Sequence, residues 1–261
     1  MTTKINYSVY GFGSSVVLIH GWGMDSSVWH AIARELAKEF QVILFDLPGY
    51  GANLGLSDNH ELAKIGEMIR SIIPQRSIVI GWSMGGLIAM WLAINYPRLV
   101  SRLILISSTP RFIEGNNWPG VAMSVFTAFK EGLAKDFART MLRFVALQVG
   151  TKKNQATCEE LKFLRNIVSS QDKYSKDILL CGLEILLNTD LRAQVAKIKS
   201  PVLWLFGEED PLVPAKLGQC LEAYMSHVQV KIFPGVSHAP FIFCRDHFLQ
   251  EVTKFIYARS I

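Results

Sequence analysis

Gly81-Trp82-Ser83-Met84-Gly85 reads G-x-S-x-G directly after an apolar run and before a helical pattern. A serine on a tight turn with small neighbours can present its hydroxyl as a nucleophile. That hydroxyl is weak alone and needs a base, and the base needs an orienting carboxylate. Of the six histidines, His238 stands in Gly235-Val236-Ser237-His238-Ala239-Pro240, just beyond the last strand-like run. His30, His60, His227 and His247 fall on helices or helix ends and read as surface groups. His20 precedes a glycine-rich loop and reads as its brace. The carboxylate is expected from Phe206-Gly207-Glu208-Glu209-Asp210-Pro211, where Asp210 fits best and Glu208 and Glu209 stay as alternatives. An oxyanion needs two backbone N–H donors already in place. Met84, next after the serine, offers one; Trp22, in His20-Gly21-Trp22-Gly23, offers the other.

Such residues need a scaffold that brings distant loops to one edge. Val16–His20, Val42–Asp46, Ile78–Trp82, Leu103–Ser107 and Val202–Phe206 are near-continuous apolar runs, suited to parallel strands covered on both faces. Amphipathic segments lie between them at Val28–Phe40, Glu61–Ile73 and Leu87–Tyr96. Later come Ala215–Met225, the strand Val228–Phe233 and a helix at His247–Arg259. This alternation predicts an α/β fold with a mostly parallel central sheet flanked by helices. The rhythm breaks between Pro110 and Asp190, where helical patterns appear at Ser124–Leu133, Asp136–Gln148 and Glu159–Val168. A helical lid over residues 111–190 is expected, inserted after the strand ending near Ser107. The core is then 1–110 with 191–261, and the lid covers the sheet's C-terminal edge, where α/β ligands bind.

The chain has 261 residues, 50% hydrophobic and 19% charged, which excludes disorder. The net charge is +5, with no basic run of the kind that binds nucleic acid. Ser77–Pro97 carries no charge and is long enough to span a bilayer. Its glycines at 81, 85 and 86 favour a buried strand–turn–helix, so no membrane association is expected. No apolar leader is visible, and Cys158, Cys181, Cys220 and Cys244 are widely spaced; they read as reduced thiols of a cytoplasmic protein. No ligand cluster or dinucleotide fingerprint appears, so neither a metal nor an organic cofactor is expected. A monomer is expected.

HGWG, DLPGYG (Asp46–Gly51), GWSMGG, GEEDPLVP and GVSHAPF together resemble the α/β-hydrolase superfamily. More narrowly, HGWGMDSSVW, LFDLPGYG, GWSMGGL, the SSTPRF…WPG segment (Ser107–Gly120), RFVALQ (Arg143–Gln148) and GLEILLNTDLR (Gly182–Arg192) resemble the pimeloyl-[acyl-carrier protein] methyl ester carboxylesterases of biotin synthesis. The resemblance covers nearly the whole chain. It implies a serine esterase with Ser83 as nucleophile, Asp210 as acid and His238 as base. It puts the acyl chain near Trp22, Ser83, Met84, His238 and the run Phe144, Val145, Ala146, Leu147, Gln148. It implies an acyl-carrier protein as partner, docked on Arg139 and Arg143. Gln155 and Glu159 stand where further arginines are expected, and Lys152 and Lys153 are the candidate replacements. Two rival readings share the scaffold: a lidded hydrolase acting on short-chain esters or C–C bonds, and a non-catalytic binding protein.

Overall fold

The computed structural model describes residues 4–56, 61–149, 155–169, 175–225 and 228–258. His60, Lys152, Lys153 and His227 lie outside the described residues, as do the side chains of Gln155 and Cys158. Among the described residues seven strands form one sheet: β1 Tyr7–Tyr10, β2 Ser15–Ile19, β3 Gln41–Phe45, β4 Ser77–Trp82, β5 Val100–Ile106, β6 Val202–Gly207 and β7 Val228–Phe233. Their order is β1-β3-β2-β4-β5-β6-β7. β1 runs antiparallel to β3, with Tyr7 opposite Phe45; every other pair is parallel. β4 and β6 are buried at every position, as strands covered on both faces must be.

The chain passes from β2 outward to β3 and then returns to β2's other side as β4. The strand order therefore reverses between β2 and β4, and the crevice beyond their C-terminal ends is where such sheets place ligands. Ile19 pairs with Gly81 at that end. The loop carrying Trp22 and the turn carrying Ser83 consequently leave the sheet side by side.

The six expected strands are present with ends shifted by a few residues. β1 is an addition. It has four residues, all exposed, so it carries no buried face to write an apolar run. The expected helix Val28–Phe40 divides into a 3-10 turn at Ser26–Trp29, capped by the Asp25 side chain, and α1 at His30–Leu36. α2 is Leu62–Arg70 and α3 is Met84–Asn95. α3 begins earlier than its pattern suggested because Ser83 alone connects it to β4. The uncharged stretch Ser77–Pro97 is thus β4 and α3, and no helix among the described residues is long and apolar enough to cross a membrane.

Between β5 and β6 the described residues form four α-helices, α4 Met123–Lys135, α5 Phe137–Val149, α6 Gln155–Ser169 and α7 Lys176–Asn188. The Leu191 N–H donates to the Pro110 carbonyl at 2.8 Å. The chain therefore leaves the core and re-enters it at one point. After β6 come α8 Leu217–Glu222, α9 Pro240–Phe243 and α10 Arg245–Tyr257. α9 was not expected; Pro240 opens it, in the helical position that needs no N–H.

Candidate active site

Ser83 turns the chain between β4 and α3 with φ 55° and ψ −119°. A non-glycine residue held there stores about 1–3 kcal/mol, and three hydrogen bonds hold it. Its N–H donates to Ile106 O at 2.9 Å, and its carbonyl accepts from Gly86 N–H at 2.9 Å and Ser108 Oγ at 2.7 Å. The glycines are required by closeness. A Cβ on Gly81 would fall 2.4 Å from Gly85 O, and one on Gly85 would fall 2.4 Å from Ile19 O. The strand and helix meet backbone to backbone.

The loop after β2 lies against this turn: a Cβ on Gly21 would sit 3.2 Å from the Ser83 Cβ. The Trp22 N–H has no hydrogen-bond partner among the described residues. Met84 opens α3, where helix N–H groups lack intrahelical acceptors. The Trp22 indole Nε1–H donates to Leu179 O of α7 at 2.8 Å, and its ring stands edge-on to Phe144 of α5, 4.7 Å between centroids. A Cβ on Gly182 would fall 2.5 Å from the indole, so α7 needs a glycine to approach it.

Asp210 and His238 lie in the loops after β6 and β7. Asp210 Oδ2 is 2.8 Å from His238 Nδ1, and both side chains are fully buried. Asp210 Oδ1 accepts from Leu212 N–H at 2.8 Å and Val213 N–H at 3.0 Å. These bonds aim the carboxylate and put the ring proton on Nδ1, leaving Nε2 bare, the state a general base needs. Nε2 is buried with no hydrogen-bond partner, so a hydrogen bond to Ser83 is not closed in this structure. Contacts of this kind commonly tighten only when substrate is bound. Glu208 instead accepts from Gly235 N–H at 2.8 Å, a role at the loop surface.

The His238 loop is held from two other sides. Trp82 Nε1–H donates to His238 O at 2.9 Å. From the insertion, Gln148 O accepts His238 N–H at 3.2 Å and Leu147 O accepts Ser237 Oγ–H at 3.3 Å. The reading of the sequence missed Trp82 and Ser108 as supports. Trp82's variable place within G-x-S-x-G and Ser108's place just beyond β5 were the only signals.

Trp22, Ser83, Phe126, Phe144, Leu183 and Leu186 are among the residues lining an apolar cavity of about 40 Å³. An outer groove of about 480 Å³ is lined by Arg139, Thr140, Arg143 and Leu147 among others. Val121, Val125, Phe129 and Leu212 line both and form the wall between them. Of the predicted contact residues, Met84, Val145, Gln148 and His238 are buried but do not line the cavity. Ala146 faces solvent, because the helical period that turns Phe144 and Gln148 inward turns it out. Both amide atoms of Gln148 are buried without a partner.

His20 braces two loops. Its Nδ1 is 2.9 Å from Gly21 O, and its Nε2 accepts from Leu47 N–H at 2.9 Å. Burial holds its pKa below the ordinary histidine value. His30 and His247 are exposed, as their helical positions suggested.

With the reversed strand order, the strained serine turn and the acid and histidine loops on one sheet edge, the match to a family model completes the picture: the chain belongs to the α/β-hydrolase fold family, matched over residues 14–243. It is 37% identical over 256 residues to the pimeloyl-[acyl-carrier protein] methyl ester esterase of Pseudoalteromonas atlantica, covering 97% of this chain and 98% of that one. It is likewise 37% identical over 255 residues to the enzyme of that name from Vibrio campbellii, covering 98% and 99%. Among solved structures it is similar to an esterase from Exiguobacterium antarcticum, with TM-score 0.89 and 20% identity over 97% of this chain and 96% of that chain. The enol-lactonase from Burkholderia xenovorans LB400 gives TM-score 0.83 and 20% identity over 97% and 96%. At that identity the solved structures speak for the fold alone.

Proposed function

We propose that the chain is a serine carboxylesterase that hydrolyses the methyl ester of pimeloyl-[acyl-carrier protein], releasing methanol and the free pimeloyl carboxylate in biotin synthesis. The observation that carries the chemistry is the fully buried Asp210–His238 pair, its Nε2 without a hydrogen-bond partner, on the same sheet edge as the Ser83 turn. The choice of substrate is supported by the relatives that match end to end at 37% identity.

In this reading Ser83 Oγ attacks the ester carbonyl while His238 Nε2 takes its proton. The Trp22 and Met84 N–H groups hold the oxyanion. His238, its positive charge stabilised by Asp210, gives the proton to the departing methoxide, and methanol leaves. Water then attacks the acyl-serine with His238 again as base. Residues 111–190 serve as the lid, which the Leu191–Pro110 closure and the contacts of α5 and α7 to His238 and Trp22 support. Arg139 and Arg143 are exposed on the outer groove, where an acidic carrier would dock. The inner cavity is smaller than a pimeloyl chain, so the wall around Phe129 shifts to admit it. The three described cysteines are unpaired, in keeping with a cytoplasmic enzyme.

The test is hydrolysis of dicarboxylate methyl esters of varied length, free and carrier-bound. The carrier-bound pimeloyl ester should show the highest kcat/KM. Brisk cleavage of small free esters with none of the carrier-bound ester would overturn the substrate assignment and leave a short-chain esterase.

A further inference from the structure

We infer that His20 is a positioning residue for the oxyanion site: it sets the plane of the Gly21–Trp22 peptide and so aims the Trp22 N–H. The inference rests on the reading of Trp22 as an oxyanion donor. His20 is fully buried, and its two ring nitrogens face opposite kinds of partner. Gly21 O, 2.9 Å from Nδ1, can only accept; the Leu47 N–H, 2.9 Å from Nε2, can only donate. One neutral tautomer, protonated on Nδ1, satisfies both. The ring is held in place by the Tyr50 ring standing edge-on at 5.3 Å.

The consequence lies in the peptide unit. Gly21 C=O and Trp22 N–H belong to the same planar trans amide and point in opposite directions. A hydrogen bond that fixes the carbonyl on the His20 side therefore fixes the N–H on the other side. Gly21 has no Cβ to restrain it, and a residue without a side chain leaves its peptides free to rotate. The indole of Trp22 is anchored on α7, yet that anchor holds the side chain and not the amide plane. The Nδ1–H···O=C bond supplies the missing restraint. Its donor ring is in turn fixed by Leu47, just past the end of β3. The oxyanion donor is thus oriented from the neighbouring strand.

The ring has two halves that substitution can separate. Asn places an amide nitrogen where Nδ1 stands and keeps the donor to Gly21; Gln places an amide oxygen where Nε2 stands and keeps the acceptor for Leu47. His20→Asn and His20→Gln should lose comparable thermal stability. On a small p-nitrophenyl ester, His20→Gln should lose about 10–100-fold in kcat with KM nearly unchanged, somewhat less than deletion of a whole oxyanion donor. His20→Asn should recover most of that loss. Affinity for a trifluoromethyl ketone, whose serine adduct fills the oxyanion site, should fall in step with kcat in His20→Gln and recover in His20→Asn. If the two variants lose kcat equally, or neither loses it, His20 is only a structural brace. Absence of any Ser83-dependent turnover in the unmodified chain would take down the esterase reading and this inference with it.

Discussion

Gly207 and Ser237 touch so closely that a Cβ on Gly207 would fall 1.9 Å from the Ser237 carbonyl oxygen. Gly207 ends β6, three residues before Asp210, and Ser237 precedes His238. The buried acid–histidine pair therefore depends on a glycine that makes no polar side-chain contact of its own. Gly207→Ala should push the two loops apart, lowering kcat toward the level of Asp210→Asn and lowering the melting temperature. Unchanged activity in a folded Gly207→Ala variant would show that the pair tolerates separation.

Ser83→Ala should keep the fold, since the turn is held by backbone bonds and by Ser108. It should remove ~10³-fold or more of turnover and abolish labelling by a fluorophosphonate. Near-normal hydrolysis of p-nitrophenyl esters by this variant would end the nucleophile assignment.

Phe129 stands in the wall shared by cavity and groove. Phe129→Ala should widen the passage, raising kcat/KM for bulky free esters relative to small ones. Truncating a buried Phe typically costs about 3–5 kcal/mol, so the melting temperature should fall as well. Equal kcat/KM changes for bulky and small esters would place the passage elsewhere.

Arg139 and Arg143 lie one helical turn apart on α5 and are both exposed. Reversing both to Glu should lower the ratio of carrier-bound to free-ester kcat/KM, and the drop should shrink as salt rises, since exposed charges act over screened distances. A ratio that stays constant, with both substrates slowed alike, would make these arginines part of the lid's structure.

Burial lowers the His20 pKa, against the raising influence of Asp46, the Gly21 bond and Asp25. In the unfolded chain His20 titrates near the ordinary histidine value of about 6.5, so on acidification it takes up the proton there before it does in the folded chain. The His20 contribution is therefore fully present above about pH 6.5 and is lost as the pH falls toward the lowered folded value. Denaturation midpoints from pH 5 to 8 should show His20→Asn losing less stability on acidification than the unmodified chain. Parallel curves would remove His20 from the acid response.

The places of Ser83 and Asp210 were legible because they follow β4 and β6, strands buried at every position and written as apolar runs. His238 follows β7, whose alternating, half-exposed Val-Gln-Val-Lys-Ile-Phe marks a strand by its period of two instead. β1 was not, since four exposed residues on an edge carry no pattern. The outward turn of Ala146 was obscured by a resemblance that treats residues 144–148 as one segment, although a helix divides them between faces. The cradle that Gly182 forms for Trp22 was invisible for another reason. Its two halves lie far apart in sequence, and nothing local marks a glycine as the partner of a distant indole.

The reversal of strand order between β2 and β4 sets a timetable for the chain's own synthesis. The groups that hold the Ser83 turn, Gly86, Ile106 and Ser108, are all encoded before residue 111, whereas Leu179, which anchors the Trp22 indole, and then Asp210 and His238 arrive only with or after the helical insertion. Chains emerge at about 5–20 residues per second, so a nascent chain carries Ser83 for several seconds before His238 has been made. The buried Asp210–His238 pair can form only once β7 has added to the far edge of the sheet.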